Sequence, residues 1–167
     1  MISFERMKVV PIAQAGDLNG GATVDCDSIN AKLFKGKALF MFAFDTLGTA
    51  SAALTINSGA TDGAVTSALY FDYGWGGAAI GTAVAGSTAS CVVPAAWTNG
   101  ASVTITYGTY SNYVLFVELN LDDMDTANDE DWITCRFTDP GGATGTFDAW
   151  AILEPRYGGN QNETALA

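Results

Sequence analysis

With 167 residues, 49% of them hydrophobic and only 15% charged, the chain can bury about 70% of its unfolded surface in one domain and is too apolar to stay disordered. Seven Lys and Arg against eighteen Asp and Glu leave a net charge of −11, which argues against general binding to nucleic-acid phosphates. No apolar run approaches the roughly 18–20 residues of a membrane helix, and no apolar signal-peptide core follows the first residues.

In chain order the pattern is β throughout. Met7 to Ile12 reads as an opening strand, with Pro11 marking an edge or a strand end. Gly36 to Asp45 holds an unbroken apolar run and reads as a central strand covered on both faces. Ala52, Leu54 and Ile56 alternate with Ser51, Thr55 and Asn57, and the turn from Ser58 to Gly63 follows. Leu69, Phe71 and Tyr73 alternate next, and Gly74 to Gly86 is read as a long loop or a smooth extended segment. Ala89, Cys91 and Val93 form a short strand ended by Pro94; Val103, Ile105 and Tyr107 alternate with Ser102, Thr104 and Thr106. Tyr113 to Leu119 is a second two-sided apolar strand. Ile133, Cys135 and Phe137, then Phe147, Ala149, Ala151 and Leu153, close the set.

About eight to nine strands at this spacing predict an all-β, single-domain, jelly-roll-like β-sandwich. Its bounds are read as residues 1–157, with an N-terminal arm, followed by a flexible C-terminal tail over 158–167. Only Asp122 to Asp129 reads as a possible helical turn.

The chemistry is bounded by what is missing. No histidine occurs, which removes Ser-His-Asp and Cys-His nucleophile activation, His ligation of zinc and the ordinary proton shuttle near neutrality. Cys26, Cys91 and Cys135 are odd in number and widely spaced, which suits buried free thiols better than a disulfide framework or a zinc site. Gly74-Trp75-Gly76-Gly77-Ala78-Ala79 matches a dinucleotide fingerprint, but no helix follows it and no acid lies between Asp72 and Glu118, so no cofactor is expected. The acidic run from Asp122 to Asp131 lacks the order of a calcium loop and reads as solvated, with no metal assigned. Glu118 and Glu154, both on predicted strands, are the pair a jelly-roll glycosidase would need, but a strand-edge glutamate is more often just on the wet face, and the protein is read as no enzyme.

Charge layout is the positive signal. Arg6, Lys8, Lys32, Lys35 and Lys37 are five of the seven cations, and residues 38–135 carry ten acids and no Lys or Arg. An acidic body with one small mixed or basic region is expected, and such a region orients docking onto a partner.

The segments Asn57-Ser-Gly-Ala-Thr-Asp-Gly-Ala-Val-Thr-Ser-Ala-Leu-Tyr-Phe-Asp-Tyr73, Gly-Gly-Ala-Ala-Ile-Gly-Thr-Ala from Gly76, and Ile-Leu-Glu-Pro-Arg-Tyr-Gly-Gly-Asn from Ile152 resemble those of tailed-phage capsid decoration, or cement, proteins. The resemblance implies a structural virion protein made in the host cytoplasm, a homotrimer on the capsid surface, and the major capsid protein as partner, with no nucleic acid and no membrane. The expected partner-binding residues are Arg6, Lys8, Lys32, Lys35, Lys37, Trp75, Arg156 and Tyr157. Charge reversal at Lys32, Lys35 and Lys37 together is expected to slow docking and to leave the fold intact. The alternative reading is a carbohydrate-binding or adhesin module of a phage tail or cell surface, using exposed tryptophans.

Overall fold

The computed structural model describes residues 7–18, 23–48, 50–76, 94, 96–124, 128–138 and 144–156. The expected strand Ala89 to Val93, most of the Gly/Ala-rich stretch, Arg6, Cys91, Tyr157 and the C-terminal tail lie outside them.

The described strands are β1 (Lys8–Asp17), β2 (Val24–Asp25), β3 (Ile29–Asn30), β4 (Phe34–Phe44), β5 (Ser51–Gly59), β6 (Ser67–Ala68), β7 (Phe71–Trp75), β8 (Thr98–Gly100), β9 (Val103–Thr106), β10 (Val114–Asn120), β11 (Trp132–Thr138) and β12 (Thr146–Pro155). They form two antiparallel sheets. Sheet A runs β1-β12-β4-β10-β7-β8; sheet B runs β2-β11-β5-β6, with β3 also on β11 and β9 also on β5. Setting aside the short pieces β3 and β6 and the added pair β7 and β8 leaves eight strands. Counted along the chain, they stand 1-8-3-6 in one sheet and 2-7-4-5 in the other, which is the jelly-roll order. The twelve described strands exceed the expected eight or nine because β2, β3 and β6 are two residues each and β8 three, too short to show a period of two in sequence.

The core lies between the sheets. Along β4, Phe34, Ala38, Phe40, Phe42 and Phe44 are buried while the intervening residues are half-buried or exposed. This strand therefore has one face in the core and one that is half-buried or exposed, not the strand covered on both faces that its apolar run suggested. Phe137 of β11 joins the sheets: its ring centroid lies 5.5 Å from Phe42, 6.1 Å from Phe44 and 4.5 Å from Phe147. These are separations at which aromatic pairs add to simple burial.

The Val103 to Tyr107 alternation stops at Thr106. Tyr107 still buries its ring but opens helix α1 (Tyr107–Tyr110). The chain must cross here from sheet B to sheet A, and one helical turn makes the crossing. A second unforeseen element is the 3-10 turn Ala31–Leu33, capped by the Asn30 side chain, which accepts from the Lys32 N–H at 3.1 Å. The expected turn in the acidic run is a 3-10 turn at Leu121–Asp123.

Gly74 of β7 is a close-approach glycine. A Cβ there would lie 2.4 Å from Pro94 Cβ and 2.7 Å from the Ala96 carbonyl oxygen. Gly74→Ala is expected to cost about 1–3 kcal/mol by forcing Pro94 and Ala96 off the strand. Urea unfolding measures this, and an unchanged midpoint would show that the two segments are not held together.

Candidate functional site

Three separated stretches of sequence meet at one end of the sandwich. Lys8 opens β1 opposite Leu153, and Lys35 of β4 stands opposite Glu154 of β12. Gly36, at φ +67°, adopts a backbone shape that side chains disfavour. It sits where the β4–β12 register shifts, and it leaves Lys35 and Lys37 on the same outer face. Arg156 follows β12 directly; its backbone N–H donates to the Leu33 carbonyl at 2.8 Å and its Nε to the Phe34 carbonyl at 3.2 Å. Lys32 and Arg156, with Ala31, Leu121, Met124 and Asp131, line a cavity of about 290 Å³.

Lys32, Lys35 and Lys37 each have an acid partner. Lys32 Nζ lies 2.5 Å from Asp131 and Lys35 Nζ 3.2 Å from Glu154, while Lys37 pairs with Glu118. Hydrogen bonding to Asp131 and its charge push the Lys32 pKa up, and Glu118 does the same for Lys37. This end is therefore mixed in charge, not bare positive. The three ammonium-bearing side chains are 62%, 50% and 64% exposed, so their pairs are held weakly and a partner's carboxylate can exchange in.

Trp75 stands apart from this end. It pairs with Leu115 on the far half of β10, and its ring stacks on Tyr110 at 3.7 Å and 2°, packed against the core. In the acidic run, Asp131 holds Lys32, and the nearly buried Glu130 accepts from Ser58 Oγ at 2.5 Å and Ser67 Oγ at 3.0 Å. The Asn120 side chain accepts from the Asp122 N–H and donates to Asp123. Among the described residues no three acids or thiols are grouped to hold a metal ion. Glu118 and Glu154 lie on β10 and β12 with β4 between them. Two strand spacings, about 9.6 Å, and an offset of at least two residues put their backbones about 12 Å or more apart, and each is held by a different lysine.

The surface that sequence reading passed over is the outer face of sheet A. Directly opposed residues share a face, and the register lines up Pro11, Trp150, Met41, Phe116 and Gly74 in one row and Val9, Ile152, Leu39, Glu118 and Asp72 in the next. Val9 is 49% exposed, and Leu39, Met41, Trp150 and Ile152 are half-buried. Trp97, 44% exposed, follows Ala96, whose carbonyl lies over Gly74. The outer face of a sandwich sheet is ordinarily polar; this one carries apolar side chains on four strands, β1, β12, β4 and β10, while β7 adds only Asp72 and Gly74. The signal was present in the sequence, since β4 and β10 are both apolar at odd and even positions, and Trp150 and Ile152 alternate with the buried residues of β12.

No family model and no curated protein matches the chain. Among solved structures, the chain is similar to a protein described as CBM35 from Cellvibrio japonicus Abf62, at 12% identity over 89% of this chain and 94% of that one, with a TM-score of 0.28. A score that low transfers neither site nor activity.

Proposed function

We propose that the chain is a non-catalytic structural protein of a virion, a decoration or cement protein that binds the outside of a phage capsid and stabilises it. The observation that supports this reading is the convergence of Lys8, Lys32, Lys35, Lys37 and Arg156, five of the seven cations in the sequence, on one end of an otherwise acidic sandwich. An acidic shell surface would select that end, with charge setting orientation and on-rate while buried apolar and backbone contacts supply affinity. Binding to the assembled shell and not to its separated subunits stabilises the shell by mass action. The resemblance in sequence suggests the capsid and the trimer, and the clustering of cations favours this end as the docking face.

The test is the rate of binding to undecorated phage shells, followed by light scattering at low and high salt. Lys35→Glu with Lys37→Glu should slow binding several-fold at low salt and little at high salt, because exposed charges are screened. Wild-type rates at low salt would move docking away from this end. Lys32 is left out of the variant. Its partner Asp131 has a side chain only 9% exposed, so reversal there would set two carboxylates together and disturb the fold; the expectation that all three reversals are harmless does not carry over to Lys32.

A second reading, a carbohydrate-binding or adhesin module, draws support from the exposed rings of Trp97 and Tyr70, the latter 68% exposed, which flank β8 and β7. Binding on a glycan array that Trp97→Ala abolishes would favour it.

A further inference from the structure

Cys26 and Cys135 lie too far apart in sequence to suggest a pair, yet the fold sets them opposite one another. We propose that they are a site of reversible covalent modification: an internal, stabilising disulfide, closed by exchange with a small-molecule disulfide, that ties β2 to β11. The site is independent of the charged end and of what docks there.

Register carries the argument. Asp25 stands opposite Arg136 and Val24 opposite Phe137. One step further on, Cys26 meets Cys135, and the Cys26 N–H donates to the Cys135 carbonyl at 2.9 Å. Directly opposed residues share a face, and here it is the core face, with Cys26 5% and Cys135 2% exposed. Asp25 and Arg136 lie on the other face and make a two-pronged pair, Nε to Oδ1 at 2.6 Å and Nη2 to Oδ2 at 2.7 Å. Beyond the cysteines, the Ser28 and Thr134 hydroxyls share a hydrogen bond of 2.8 Å. The two thiols are thus clamped on both sides, and a one-residue slip would break both clamps.

Distance suits the bond as well. The Cα atoms of a hydrogen-bonded antiparallel pair are about 5.5 Å apart, inside the range of about 4.4–6.8 Å that a disulfide spans. Opposed Cβ atoms, at about 4.5–5.5 Å, must close to about 3.5–4.5 Å. The shift of about 1 Å falls to β2, which is two residues long and ends the sheet B path. A short end strand has few contacts to lose when it moves.

Exchange takes two steps. With β2 lifted, the Cys26 thiolate attacks one sulfur of the small disulfide; that S–S bond breaks, half of the molecule joins Cys26 and the other half leaves as a thiolate. The Cys135 thiolate then attacks the Cys26 sulfur and expels the second half. The protein gives up two electrons and two protons, and the small disulfide takes them and leaves as two thiols. Burial holds both thiols in the protonated form, so the first step is slow while β2 is closed and faster when it opens. In a reducing compartment the thiols stay free; in an oxidising one the bond closes and persists. Because it encloses most of the chain, it restricts the unfolded state strongly.

The test uses the full chain and oxidised glutathione. With three cysteines in the sequence, the reduced protein should show three thiols in denaturant. After incubation with oxidised glutathione in urea below the unfolding midpoint, one thiol should remain and the mass should fall by two hydrogen atoms. A digest made without reductant should join the Cys26 and Cys135 peptides. The urea midpoint should rise by about 1–2 M and fall back after reduction with dithiothreitol. Cys26→Ala should form no such link and gain no stability from the same treatment. A chain that keeps all three thiols, stops at glutathione adducts or links either residue to Cys91 overturns the proposal, as does a Cys26–Cys135 link that leaves the midpoint unchanged. The wild-type measurements decide the matter by themselves if the variant does not fold.

Discussion

Replacing Phe137 by alanine is expected to lower the unfolding free energy by about 3–5 kcal/mol, the range for truncating a fully buried aromatic ring. Phe137 is 0% exposed and sits on β11, with Phe42 and Phe44 of β4 and Phe147 of β12 around it. It is the sheet B ring that meets three rings of sheet A. Truncation opens a cavity where the two layers lock, and the surrounding rings cannot close it without leaving their own strand positions. The loss is a large share of the 5–15 kcal/mol that holds a typical domain together. Denaturant unfolding with an unchanged slope measures it; a loss below about 1 kcal/mol would mean that the sheets are not packed through this cluster. Phe137→Leu, which keeps most of the volume, is expected to recover much of the loss.

The second large effect is alkaline. Cys26 and Cys135 are buried free thiols, and the Cys26 N–H donates to the Cys135 carbonyl at 2.9 Å, which puts them side by side at the join of β2 and β11. Burial, helped by the charges of Asp27 and Asp25, pushes the Cys26 thiol from 9.0 up to about 12. Burial also pushes Cys135 well up, with Cys26 adding to it. Between pH 9 and 12 the unfolded chain has lost the Cys26 proton and the folded chain keeps it. Stability is then at its full value below pH 9 and falls as pH rises, by about 1.4 kcal/mol per pH unit for this thiol and about 4 kcal/mol in all. Lys32 and Lys37, raised by Asp131 and Glu118, act in the same direction above their ordinary 10.5, so the comparison must be with a variant. Cys26→Ala should flatten the decline of unfolding free energy between pH 9 and 12. Parallel curves for wild type and variant would mean that Cys26 ionises freely in the folded state.

The fold was largely legible because most of its long strands are governed by local alternation. Ala52, Leu54 and Ile56 on β5, Val103 and Ile105 on β9, and Phe147 to Leu153 on β12 each repeat with a period of two, and a half-buried strand needs little else to declare itself. The two-residue strands and the helical turn at Tyr107–Tyr110 were not legible, since they answer to partners far along the chain. The candidate site divides in the same way. That cations cluster before residue 38 can be counted; that Arg156 joins them depends on β12 lying between β1 and β4. Trp75 looked available as a contact residue, and its stacking on Tyr110 depends on where α1 sets that ring.

By itself, then, the sequence determined an all-β chain of sandwich type, an acidic body with its cations confined to a few stretches, and a set of side chains without histidine chemistry. These are properties of composition and of spacing within single strands, where neighbouring residues act on one another directly. Only the tertiary structure decided which apolar faces go inward. Strands β4 and β10 are apolar on both sides, so either side could have lined the core. The choice was made by register: pairing Leu115, Val117 and Leu119 with the inner row of β4 left Phe116 beside Met41 and Trp150 on the outside. Because a sheet side chain's face is set by pairing between strands and not by its own identity, the apolar outer face of sheet A could emerge only once the strands were assembled.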